Sequence, residues 1–145
     1  MKVRQFLVPV TLLAMLACSK DKYQSYPQIT LETINTLVPV GGGLEAKFQF
    51  TQKPGKLSGG TFTAIRNRLN QQPLPVGTAI ADTVIGPIPS FPDENQGEFD
   101  FTLDYNYLHE SDTENDTIMF KFSCVDRDGN KSDTISSPTV VVLYQ

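Results

Sequence analysis

Leu44-Glu-Ala-Lys-Phe-Gln-Phe-Thr51 alternates without a break: Leu44, Ala46, Phe48 and Phe50 share one face, Glu45, Lys47, Gln49 and Thr51 the other. Successive strand side chains point to opposite sides, so this is a strand with one face in a core and one in water. A helix would need apolar residues three and four apart, and no long window of the chain offers that spacing. Gly41-Gly42-Gly43 precedes the strand and Lys53-Pro54-Gly55-Lys56 follows it, both as turns. The glycines are not a phosphate loop, because such a loop needs a helix start behind it to aim its N–H groups.

The same period recurs on both sides. A first strand is expected from Gln28 to Leu37, a third over Gly60–Arg68, a fourth from Thr78 to Ile85, and a fifth over Gly97–Asp104 with Phe99, Phe101 and Leu103 inward. Pro73, Pro75, Pro87, Pro89 and Pro92 deny ladder donors and mark crossovers or an edge. Asp116–Asp126 is a sixth strand with Ile118, Phe120, Phe122 and Cys124 inward, which makes Cys124 a small core hydrophobe. Asp128-Gly129 turns the chain, and Ser132–Tyr144, interrupted at Pro138, supplies the last strand or pair. About seven short strands between turn signals predict an all-β antiparallel β-sandwich.

Phe120-Lys-Phe-Ser-Cys-Val-Asp-Arg-Asp-Gly-Asn-Lys-Ser132 resembles the last hairpin of bacterial immunoglobulin-like and fibronectin-type-III-like domains. The resemblance implies an immunoglobulin-like sandwich over 28–145. With no Trp and only two Cys, the buried Trp and inter-sheet disulfide of antibody domains are missing.

The N-terminus carries an address. Lys2 and Arg4 precede an apolar run from Phe6 to Ala17, too short to span a bilayer, which is the pattern of a secretory signal over 1–17. It ends in Met15-Leu-Ala-Cys18, which resembles the bacterial lipobox, with Met15 where Leu is commonest. That resemblance implies cleavage before Cys18 and its lipidation, and two or three acyl chains anchor stably where one does not. Residues 18–27 then form a polar, flexible tether, and Cys124 is left without a disulfide partner. Lys2 and Arg4 leave with the signal, taking the net charge from −4 to −6. This is the wrong sign for a nucleic-acid partner. Together these features resemble the small single-domain lipoproteins of Bacteroidota, implying an outer-membrane location on the cell surface or the periplasmic face.

Chemistry-bearing residues are few. His109 is the single histidine and sits among Glu110, Asp112, Glu114 and Asp116. A histidine beside carboxylates is the residue pattern of an acid–base pair or a metal ligand, but more often it is solvated. Asp93/Glu94 and Asp112/Glu114 could serve a glycosidase only if held on opposite sides of a bond. In Asp126-Arg-Asp-Gly-Asn-Lys-Ser132, oxygen side chains alternate as in a calcium loop, but Lys131 and Ser137 stand where the EF-hand has Gly and Glu. A plain hairpin turn is expected, depending on Gly129 for its φ and much less on Asp126. Asp82-Thr-Val, Asp116-Thr-Ile and Asp133-Thr-Ile resemble Bacteroidota O-glycosylation acceptors, though Thr is also a common strand residue.

No catalytic residue, cofactor or metal is expected. The sequence favours a lipid-anchored, non-enzymatic accessory or interaction domain of the cell envelope. Its alternative is a glycan-binding lipoprotein of a polysaccharide uptake system, stacking sugar on Tyr105, Tyr107 or Tyr23 in the absence of Trp. An outward platform of Tyr105 and Tyr107 would favour the second reading.

Overall fold

The structure is a computed structural model that describes residues 25–54, 56–91 and 94–145. Its architecture is an immunoglobulin-like β-sandwich. Strands β1 (Gln28–Ile34), β3 (Gly43–Thr51) and β6 (Gln96–Asp104) form one antiparallel sheet in the order β1-β3-β6. The second sheet runs β2-β9-β7-β4-β5, from β2 (Leu37–Val38) through β9 (Val140–Val142), β7 (Asp116–Val125) and β4 (Thr61–Arg68) to β5 (Thr83–Pro87). The short β8 (Ile135–Ser136) also pairs with β7. Because β2 continues the path of β1, and β8 and β9 share the last path, the segments fill seven strand positions.

The alternating faces meet as expected. Leu44, Ala46, Phe48 and Phe50 of β3 are buried, as are Ile118, Phe120, Phe122 and Cys124 of β7. Phe48 lies at the centre, its ring 4.8 Å from Phe122, 4.9 Å from Phe62 and 5.4 Å from Phe99. Each such burial is worth about 1.5–3 kcal/mol over exposure, so this aromatic cluster is what holds the sheets together. Burial pushes the Cys124 thiol up to about 11. Native protein is expected to leave Cys124 unmodified by bulky thiol reagents until it unfolds; rapid native labelling would contradict this packing.

Three expectations need correction. The first strand does not run unbroken to Leu37: a bulge between Leu31 and Thr33 bends β1, and the chain changes sheets at Asn35. The Asn35 side chain fills in for the lost ladder, donating to Gly43 O (2.9 Å) and accepting from Glu45 N (2.7 Å). After the switch β2 runs parallel to β9, so one pairing departs from the antiparallel expectation. The fourth strand starts at Thr83 rather than Thr78, because side chains pin the segment before it: Ile80 N donates to Glu110 and Ile80 O accepts from Arg66.

The last path is broken twice, and serine repairs it each time. Ser132 and Ser137 each donate their N–H to a β7 carbonyl, of Cys124 and Phe120, and accept that same residue's N–H on Oγ. Each hydroxyl then donates to the next carbonyl in the chain. Beside Pro138 this keeps the buried donors of β7 satisfied where a regular strand would be interrupted.

Candidate functional site

The chain passes from β6 to β7 through a single 3-10 turn, Tyr105–Tyr107, and the acidic stretch 109–116. Here the molecule concentrates its ionisable groups. Asp116, fully buried at the start of β7, accepts Arg68 Nε (2.8 Å) on one oxygen and the N–H groups of Glu110 (2.7 Å) and Ser111 (3.0 Å) on the other. Burial alone would raise its pKa; those hydrogen bonds and the Arg68 charge outweigh it and hold the carboxyl below the usual range. Arg68 also pairs with Glu114 at 2.9 Å. Alongside, Arg66 reaches Glu110 at 2.8 Å with both side chains only 3% exposed, and Asp82 at 3.4 Å.

His109 lies over this cluster. Its ring stacks on Tyr105 with centroids 4.9 Å apart, Nδ1 is 3.4 Å from Asp116 Oδ2, and Nε2 is 3.7 Å from the exposed Asp112. The Tyr105 hydroxyl donates to Leu143 O, tying the turn to the chain's last segment. Tyr105 therefore faces inward while Tyr107 is exposed, and the paired tyrosine platform does not form. Beside the cluster opens a cleft of about 240 Å³, walled by Gln72–Pro75 and Thr78 on one side and by Arg68 and Glu110–Glu114 on the other.

Arg68 holds Glu114 and Asp116, and Arg66 holds Glu110, so these carboxylates brace two connecting segments against β4. The sequence pairing Asp112/Glu114 is split in role: Glu114 is ion-paired and Asp112 is solvated. Glu94 is exposed, while Asp93, Tyr23 and Cys18 lie outside the described residues. Sequence reasoning missed Arg66 and Arg68. One signal was available: Arg66 follows Phe62 and Ala64 on the inward face of β4, and a guanidinium there demands a buried acid.

The loop weighed for calcium is a hydrogen-bonded turn. Gly129 has φ +87°, as expected, and the turn closes through Gly129 N to Asp126 O (3.0 Å). Asp126, however, is buried, and its two oxygens accept four bonds: from Asp128 N and Asn130 N on one, from Gln52 Nε2 (2.6 Å) and Asn130 Nδ2 (3.0 Å) on the other. These four bonds stand against the expectation that Asp126 matters much less than Gly129. Burial would raise its pKa, but the donors from Asn130, Gln52 and Asp128 hold it low. Asp128 pairs with Lys56. Among the described residues, no group of three or more His, Cys, Asp or Glu side chains is arranged to hold a metal ion.

Of the three Asp-Thr-apolar triplets, Thr83 and Thr134 are exposed. Thr117 is half-buried in β7, its N–H bonded to Asn70 at 2.7 Å and its preceding Asp116 sealed inside. Among the described residues no helix is long and apolar enough to cross a membrane.

No protein-family model matches the chain, and no curated protein matches it. Among solved structures, it is similar to a cohesin module from a family 33 glycoside hydrolase of Clostridium perfringens, at 11% identity and TM-score 0.40, over 82% of this chain and 98% of the module. It is also similar to the sporulation control protein Spo0M of Bacillus subtilis (12% identity, TM-score 0.40, 82% of this chain) and to a β-glucosidase of Kluyveromyces marxianus (10%, 0.38, 82%). The matches span 50% of the sporulation protein and 15% of the glucosidase. At these values the likenesses carry no assignment of activity, partner or family.

Proposed function

We propose that the protein is a lipid-anchored, non-enzymatic accessory or interaction domain of the cell envelope, held on an outer membrane through Cys18. The observation that carries this reading is Met15-Leu-Ala-Cys18 closing a basic and then apolar N-terminus. Two features of the domain fit it. Of the carboxylates around the lone histidine, Glu110, Glu114 and Asp116 are engaged by Arg66 and Arg68 while Asp112 is solvated, as befits a brace more than a reaction centre. An outward platform of Tyr105 and Tyr107 would have favoured the glycan alternative; Tyr107 is exposed, but Tyr105 is committed to His109 and Leu143.

Cys18→Ser is expected to move the protein out of the membrane fraction, or to leave the uncleaved precursor, without changing the melting behaviour of the domain. Intact-mass analysis of wild-type protein should show a chain beginning at an acylated Cys18. An unmodified Cys18 in a chain that retains Met1 would refute the anchor.

A further inference from the structure

Among the described residues four strands edge the two sheets, and three are protected against pairing with another chain. β1 carries its bulge and the exposed Glu32. β6 bears the exposed Glu98, Asp100 and Asp104, and β2 is two residues long. Among the described residues β5 has neither charge nor bulge and pairs only with β4: Thr83-Val-Ile-Gly-Pro87 carries a single edge proline at its end, which leaves the backbone groups of Thr83 and Ile85 open.

The ladder fixes which groups face outward. Arg66 N donates to Asp82 O and Ile88 N to Gly60 O, so the even-numbered residues of β5 bond to β4. The backbone groups of Thr83, Ile85 and Pro87 therefore point away from the sheet, and Ile85 is 66% exposed. Gly86, whose own backbone groups bond to β4, leaves the face of the strand bare beside Ile85. Its φ is not positive and a Cβ built on it would meet nothing within 4 Å, so neither backbone strain nor crowding requires a glycine.

We propose that β5 pairs antiparallel with β5 of a second copy of this chain, about a two-fold axis through Ile85. In that register each Ile85 N–H donates to the other Ile85 carbonyl, and each Thr83 N–H donates to the partner's Pro87 carbonyl. Pro87 lacks a donor and asks for none in return. Charge favours this edge for self-pairing: the chain is acidic, yet Asp82 of the two copies falls at opposite ends of the shared ladder, with no carboxylate set against another. A five-residue strand pair covers much less than the roughly 1,200 Å² of a stable complex, so the dimer is weak and concentration-dependent.

Purified full chain is expected to sediment as monomer at micromolar and increasingly as dimer toward millimolar concentration. Ile85→Lys abolishes that shift, while Leu37→Lys on the opposite edge of the same sheet keeps it. Register is read by oxidative cross-linking in a Cys18→Ser background, where only the buried Cys124 remains. Ile85→Cys alone gives a dimer band, and Thr83→Cys gives one only when mixed with Pro87→Cys. The proposal is overturned if no association occurs, if it persists in Ile85→Lys, if Leu37→Cys cross-links as well as Ile85→Cys, or if Thr83→Cys cross-links equally well alone.

Discussion

Asp116→Ala is expected to cost about 3–5 kcal/mol, enough to unfold much of the population of a marginally stable domain. The cost is large because the acid has no substitute: Arg68 Nε and the N–H groups of Glu110 and Ser111 all converge on it inside the protein. Removing it leaves a partly buried guanidinium short of a counter-charge and two donors without an acceptor. The effect also has a pH signature. The folded pKa of Asp116 lies below its unfolded value, so its contribution is fully present above about pH 4 and is lost as pH falls through the lower folded value. Thermal melts of wild type and Asp116→Ala should therefore differ most at neutral pH and converge under strong acid. A difference that stays constant down to pH 2 would show that the carboxylate charge is not what stabilises this corner.

Asp126→Ala is expected to cost about 2–4 kcal/mol, more than the roughly 1–2 kcal/mol expected when a side chain is forced onto the positive φ of Gly129. Four donors from three residues depend on the Asp126 carboxylate, and Gln52 links it across 74 residues to the end of β3. Gly129, by contrast, has nothing near the position of a Cβ, so only its backbone angle resists substitution. The pairing also bears on calcium. Both Asp126 oxygens already face N–H groups, which a cation would have to displace, so chelator is expected to leave the melting temperature of the wild type unchanged. A rise of several degrees with millimolar calcium, lost in Asp126→Ala, would reverse this reading, as would Gly129→Ala proving the more damaging of the two.

The aligned series Leu44–Phe50 and Ile118–Cys124 determined their own strands and inward faces, because period-two alternation is written in neighbouring residues and needs no partner to be read. Pro87 announced a crossover or an edge, and Asp128-Gly129 a turn, for equally local reasons. What those residues could not specify was distance across the chain. Arg66 finds Glu110 44 residues away and Arg68 finds Asp116 48 away, so an acidic stretch that resembles a solvated loop in one dimension is half interior in three. Asp126 reads as a turn residue until Gln52 arrives from β3, and Tyr105 reads as a free aromatic until Leu143 accepts its hydroxyl. Asn35 and the two serines likewise acquire their roles only once a neighbouring strand has lost a backbone partner. Apolar patterning is a property of the sequence because water is the same everywhere. The meaning of a polar residue depends on which donor or acceptor the fold brings to it, and only the tertiary structure decides that.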